Sequence, residues 1–187
     1  MNDRRYVVGI TGASGVVMGY RLVQQLLKKG YKVDLVITHA GRRVLKDEMG
    51  LSQVEEHSNL VLHDIDNIGA SIASGSVKTD GMIIMPCSMG TLAGIANGIS
   101  SNLMQRAADV TIKEGRRLIL VPRETPLSLI HIKNLLHAAQ AGAVIIPPVP
   151  AFYTQPSTID DVINFAVGKV LDVLQIEHEL YPRYGDN

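Results

Sequence analysis

Cysteine occurs once in the 187 residues, at Cys87, so the chain has no internal disulfide and does not belong with the small secreted scaffolds that depend on one. Surplus charge is absent too. Eighteen basic residues balance eighteen acidic ones, which leaves no field of the kind that draws a chain onto phosphate backbones or anionic lipid. Long apolar runs are also missing: the longest, Ala141 to Pro150, is cut by prolines and falls short of the roughly 18 to 20 residues that span a bilayer. The start MNDRRYVVGITGASG interrupts its apolar stretch with Gly and Thr before a signal-peptide core could form. A soluble, cytoplasmic protein with no nucleic-acid or membrane partner is expected.

What is present fits one domain over residues 1–187, large enough to bury a core without staples or a structural metal. Hydrophobic residues reach 46%, apolar for a lone globule and consistent with extensive subunit contact. Tyr6 to Ile10 reads as a strand, Thr11 to Gly15 as a tight turn, and Val16, Tyr20, Val23 and Leu27 as a helix face. The same grammar repeats with strands expected at Val33 to Ile37, Met82 to Met85, Leu118 to Val121 and Ala143 to Ile146. Their continuous Val, Ile, Leu and Met content implies burial on both faces, which predicts an α/β, doubly wound parallel sheet with helices on both sides. The last helix carries an apolar stripe from Ile159 to Leu174, with Ser157 and Asp160 expected as its capping box. Between Met49 and Lys78 the pattern weakens, and the tail from Glu177 to Asn187 is polar, so neither is expected to join the sheet.

Ligands of open α/β sheets bind beyond the carboxyl ends of the strands, so the turns there carry the functional signal. Gly12, Ala13, Ser14 and Gly15 let the backbone approach an anion at the start of a helix, although the spacing is neither G-x-G-x-x-G nor a P-loop; a plain tight turn is the lesser alternative reading. Thr38-His39 stands where dinucleotide enzymes place an acid for the ribose, which favours a mononucleotide. Pro86 to Thr91 forms a second small, hydroxyl-rich helix start, and Arg123-Glu124 sets a cation beside a carboxylate after a later strand. Cys87 has no histidine near it in sequence and reads as an inert small residue. Arg106 and Lys113, seven apart, share a helix face that is either a solvated stripe or part of an anion site. His39, His57, His63, His131, His137 and His178 show no metal-ligand spacing, so no metal is expected.

Six segments in one order resemble the UbiX-type flavin prenyltransferases: Thr11–Gly15 (TGASG), Ala70–Ser76 (ASIASGS), Pro86–Thr91 (PCSMGT), Arg106–Asp109 (RAAD), Pro122–Pro126 (PRETP) and Pro147–Tyr153 (PPVPAFY). The resemblance implies a flavodoxin-like fold that binds FMN through Gly12, Ala13, Ser14, Thr38, Ser88, Met89, Gly90, Thr91 and Arg123. It implies a dimethylallyl phosphate site built from Arg106, Lys113, Arg123, Glu124, Tyr153 and Lys169, with Glu48 matching an acid near the flavin and counted with Ser14 and Glu124 as catalytic. The implied reaction moves a dimethylallyl group to N5 and C6 of reduced FMN, with Glu124, Ser14 and the released phosphate as proton carriers. It further implies a homododecamer with sites at subunit interfaces, and a product that serves a UbiD-type decarboxylase.

In that reaction charge grows on a phosphate while an allyl cation forms; with no Trp and two Phe in the chain, the flavin itself becomes the main partner of the cation. Two departures stand out: Lys169 replaces an Arg common in the family, and Pro182-Arg183-Tyr184 replaces Pro-Arg-Trp. Two rival readings are a flavin-dependent cysteine-type decarboxylase and a non-catalytic flavin carrier. The first would carry a histidine in a Leu-His-Ile motif where this chain reads Ala-Ser-Ile-Ala-Ser-Gly-Ser; cations reserved for a second phosphate argue against the other.

Overall fold

A computed structural model describes residues 4–185; the first three residues of the N-terminal stretch and the last two of the polar tail lie outside it. Strands β1 (Arg5–Ile10), β2 (Lys32–Ile37), β3 (Leu60–His63), β4 (Gly81–Cys87), β5 (Leu118–Pro122) and β6 (Val144–Ile145) form one parallel sheet in the order β3-β2-β1-β4-β5-β6. Helices α1 (Val16–Lys28), α2 (His39–Met49), α3 (Met89–Ala96), α4 (Leu103–Lys113), α5 (Leu129–Gln140) and α6 (Ile159–Val173) connect or follow them. The fold is the expected flavodoxin-like α/β arrangement. The chain winds outward from β1 in one direction through β2 and β3, then returns to β4 on the other side, so the order reverses between β1 and β4.

Alternation along the strands splits the core in two. Tyr6, Val8, Ile10, Ile83, Met85, Ile119 and Val121 face α1 and α6, against Val23, Leu26, Val167 and Leu171. Val7, Val36, Met82, Ile84, Leu118 and Leu120 face the other way, against Leu92 of α3 and Leu103, Met104 and Ala107 of α4. Gly19 lets α1 lie directly on β4, since a Cβ there would overlap the Met85 carbonyl oxygen.

Three expectations are corrected. Leu60–His63 does join the sheet, as an edge strand paired only with β2; with Val61 and Leu62 exposed it lacks the pattern of a strand buried on both faces. The strand expected over Ala143 to Ile146 is reduced to Val144–Ile145, although the Ile146 amide still donates to the Leu120 carbonyl at 2.9 Å. The α6 cap falls one residue later than expected: Thr158 and Asp161 make the reciprocal bonds, and Ile159 is 80% exposed, so the buried stripe starts at Ile163. The described part of the polar tail from Glu177 adds no strand to the sheet, as expected, and its Tyr181 is buried.

Candidate functional site

Four strands end on one ledge, and a single buried hydroxyl fastens its centre. Thr11 Oγ1 donates to the Pro86 carbonyl at 2.7 Å and accepts the Ser88 amide at 2.8 Å, joining the turn after β1 to the turn after β4 across the point where the strand order reverses. The Thr38 amide donates to the Ile10 carbonyl at 3.0 Å and the Arg123 amide to the Cys87 carbonyl at 3.2 Å. The ends of β2 and β5 are thereby held to the same frame.

On this ledge Gly12 packs against α2, where a Cβ would overlap the Ala40 methyl. Ala13 is buried and Ser14 exposed. Gly15 caps α1 in a left-handed conformation, φ 94°, without a side-chain cap of its own. The cap comes from α2: Glu48 accepts the Gly15 amide at 2.9 and 3.3 Å and the Val16 amide at 3.3 Å. A carboxylate thus occupies the positive end of α1, the place where the glycine turn predicts an anion. A phosphate at this turn is left with the Gly12 to Ser14 backbone, or with the neighbouring helix starts.

Those starts are capped by small hydroxyls. Thr38 accepts the Gly41 amide at 3.0 Å, and Ser88 accepts the Thr91 amide at 3.4 Å while donating to the Thr91 hydroxyl at 3.1 Å. Gly90 faces open space, whereas the Met89 side chain is buried in the core, so only its backbone can meet a ligand. Cys87 is fully buried, and burial pushes its thiol up to about 12, which agrees with the inert reading.

Arg123 and Glu124 extend the ledge beyond β5. Glu124 is exposed and accepts the Thr125 amide at 3.0 Å. Arg123 Nε is buried and has no partner among the described residues. An orphaned buried donor beside a glycine turn and two hydroxyl-capped helix starts matches a planar, anionic ligand rich in hydrogen-bond acceptors. FMN fits that donor set.

Of the six residues expected at a second phosphate, Arg106, Lys113, Tyr153 and Lys169 are divided between the two sides of the sheet. Arg106 and Lys113 lie on α4, about 10 Å apart along its axis, on one side of the sheet; Lys169 lies on α6, on the other. Each cation has a carboxylate partner: Arg106 with Asp109 at 2.8 Å, Lys113 with Glu114 at 2.5 Å, Lys169 with Asp172 at 3.6 Å. Tyr153 packs edge-on against Phe165 and Tyr184, with ring centres 6.2 and 5.3 Å away, which puts it beside α6. A cleft of about 530 Å³ lies beside β3, but none of Ser14, Ser88, Arg123 or Tyr153 lines it.

Thr11 and Gly75 carry structural roles that sequence reasoning passed over. Both sit inside recognised motifs, and that was their only signal. A Cβ on Gly75 would overlap the Glu114 carboxylate and stand 3.0 Å from Lys113 Nζ, while Arg116 donates to the Gly75 and Val77 carbonyls at 2.7 Å. The ASIASGS loop is thus seated on the end of α4 that carries Lys113. The histidines are accounted for in part by carboxylate partners: His39 with Asp66, His63 with Asp34 and His178 with Asp172. Among the described residues no group of three or more His, Cys, Asp or Glu is placed to hold a metal ion.

The chain matches the Flavoprotein family over residues 1–171. It is 52% identical to the flavin prenyltransferase UbiX of Halalkalibacterium halodurans, over 97% of this chain and 93% of that one. The chain belongs to the UbiX flavin prenyltransferase family. Two solved UbiX-type structures share its architecture. AnUbiX in complex with FMN and dimethylallyl pyrophosphate superposes with a TM-score of 0.91 at 40% identity, over the whole of both chains. A dodecameric FMN-dependent UbiX-like decarboxylase from Escherichia coli O157:H7 gives a TM-score of 0.92 at 42% identity, over 96% and 98% of the two chains. The chain carries the flavodoxin-type sheet with the glycine turn at its switch point. No helix among the described residues is long and apolar enough to cross a membrane.

Proposed function

We infer that this protein is a flavin prenyltransferase, moving a dimethylallyl group from dimethylallyl phosphate to N5 and C6 of reduced FMN. One observation carries the reading: a flavin-shaped donor ledge whose Arg123 Nε is left unpaired, together with cations on α4 and α6 that the ledge does not use. In this reading Gly12, Ala13, Ser14, Thr38, the Ser88 to Thr91 helix start and Arg123 hold FMN. When bound, its reduced ring supplies the nucleophilic atoms that accept the prenyl unit.

The chain's own residues would then do three things. Arg106, Lys113, Lys169 and the Tyr153 hydroxyl meet the charge that grows on phosphate as the allylic C–O bond breaks and its electron pair leaves with the phosphate oxygen. Glu124 and Ser14, both exposed on the ledge, hold and move the protons that ring closure at C6 requires. Glu48 keeps the start of α1 closed, directing the flavin phosphate to the other helix starts.

Because Lys113 and Lys169 lie on opposite sides of the sheet, a complete prenyl-phosphate pocket requires more than one subunit. A homododecamer like that of the Escherichia coli relative supplies the neighbours. The exposed apolar side chains of α5, with Leu129 66%, Ile130 69% and Leu136 54% accessible, support such an assembly. A cytoplasmic protein handing its product to a UbiD-type decarboxylase completes the reading.

The test is an anaerobic incubation of the protein with reduced FMN and dimethylallyl monophosphate or diphosphate, followed by mass analysis of the extracted flavin. Gain of one C5H8 unit is expected. A flavin of unchanged mass with either donor would leave only carriage or decarboxylation.

A further inference from the structure

One carboxylate near the candidate prenyl-phosphate residues takes three hydrogen bonds and an ion pair, and none of the six recognised motifs contains it. Asp172, on the last turn of α6, accepts from Arg183 Nη1 at 2.7 Å and His178 Nε2 at 3.1 Å through Oδ1. Through Oδ2 it accepts the Tyr181 hydroxyl and faces Lys169 Nζ at 3.6 Å. Three of the four partners come from the segment after the helix, which doubles back onto it. The fit is close: a Cβ on Gly168 would overlap the Tyr181 ring and stand 2.7 Å from His178 Cε1.

The charges in this knot do not cancel. His178 Nδ1 accepts the Leu180 amide at 3.2 Å, and its Nε2 faces Asp172 Oδ1 at 3.1 Å and Arg183 Nη2 at 3.4 Å. Two full cations, Lys169 and Arg183, share the one carboxylate. Arg183 is held by a direct hydrogen bond and lies over the Tyr181 ring at 5.0 Å, whereas Lys169 is beyond hydrogen-bond range. Beyond the knot the tail delivers Tyr184 edge-on to Tyr153, and Tyr181 packs on Phe165 at 4.8 Å.

We propose that Asp172 is a positioning residue of the prenyl-phosphate half-site, clamping the tail from Glu177 to Gly185 onto α6 so that Tyr184 stands against Tyr153 while Lys169 stays oriented and only half neutralised. Lys169 can then turn to an arriving phosphate without unfastening the tail, because Arg183, His178 and Tyr181 continue to hold it. This rests on the proposed function for its substrate, although the clamp itself can be read without any activity.

Asp172→Asn keeps the shape and removes the charge. Its KM for dimethylallyl monophosphate should rise about tenfold, with FMN affinity changed less than about twofold, since the flavin ledge lies on other elements. Amide hydrogen exchange of the 176–185 peptide should accelerate at the same time, while exchange in β1 and β4 stays as in the wild type. Asp172→Glu should recover part of both properties, and Gly168→Ala, which displaces the tail by bulk alone, should reproduce the KM rise. Loosening of the tail with an unchanged KM, or a KM rise with full tail protection, would overturn the proposal. If the wild-type protein fails to prenylate FMN, the functional reading falls; unchanged tail exchange in Asp172→Asn and Gly168→Ala would then dispose of the clamp separately.

Discussion

Thr11 and Ser88 belong to turns 77 positions apart in sequence, yet the hydroxyl of one accepts the backbone amide of the other at 2.8 Å inside the protein. Thr11→Val would keep the shape and orphan the Ser88 amide; the Pro86 carbonyl would retain the Thr11 amide, which donates to it at 3.2 Å. An unpaired buried donor costs about 1–3 kcal/mol, so the urea midpoint should fall accordingly, with FMN binding weakened alongside. Thr11→Ser, which keeps the oxygen, should lose less than half as much.

Arg123 should matter to flavin binding more than to folding, because its Nε has no partner within the described chain to lose. Arg123→Gln removes a charge-assisted donor worth about 1.5–3 kcal/mol, which corresponds to roughly a 10- to 100-fold weaker FMN complex. Arg123→Lys should recover only part of this, since an ammonium lacks the planar fork. Flavin fluorescence titration reads both, and a thermal midpoint within about 2 °C of wild type would set them apart from folding defects.

The carboxyl of Asp34, 1% exposed, bonds Arg5 at 2.5 and 2.8 Å and His63 at 2.7 Å. Burial alone would raise its pKa, but the hydrogen bonds from Arg5 and His63, with their charges, hold it below the usual carboxylate value. A depressed native pKa contributes stability that is present above the unfolded value near 4 and is lost as pH falls through the native one. Asp34→Ala should therefore cost about 3–5 kcal/mol at pH 7. The gap between wild type and variant should shrink when denaturation is repeated below about pH 4.

With its thiol pushed up to about 12 by burial, Cys87 holds almost no thiolate at pH 8. Iodoacetamide should leave the native protein unlabelled at that pH and modify it fully in guanidinium. Cys87→Ala should change the rate of prenyl transfer by less than about twofold.

Gly19→Ala would set a methyl against the Met85 carbonyl oxygen, which belongs to the central strand and cannot retreat as a side-chain tip could. Overpacking of this kind costs about 1–3 kcal/mol or more, and in a chain of this length each kcal/mol lowers the thermal midpoint by about 2–4 °C. Differential scanning calorimetry should show a drop of about 5 °C.

The central strands were legible because burial on both faces leaves continuous apolar runs, and β1, β2, β4 and β5 are the strands that have them. The edge strand β3 was not legible: with one neighbour and two exposed side chains it carries no such run. The α6 cap slipped by one residue because Ser157-Thr158 and Asp160-Asp161 offer two overlapping boxes, and only the helix's seating on the sheet chooses between them.

The sequence by itself determined the alternation of strand and helix, the small-residue turns at the strand ends and the family, because these depend on residue type and local spacing. Tertiary structure alone decided what stands opposite what. It closed the start of α1 with Glu48 from the following helix, placed Lys113 and Lys169 on opposite sides of the sheet, and drew three tail residues onto Asp172. Those meetings follow from the way the chain winds and from which face each helix covers, and such long-range proximity has no counterpart in local sequence pattern.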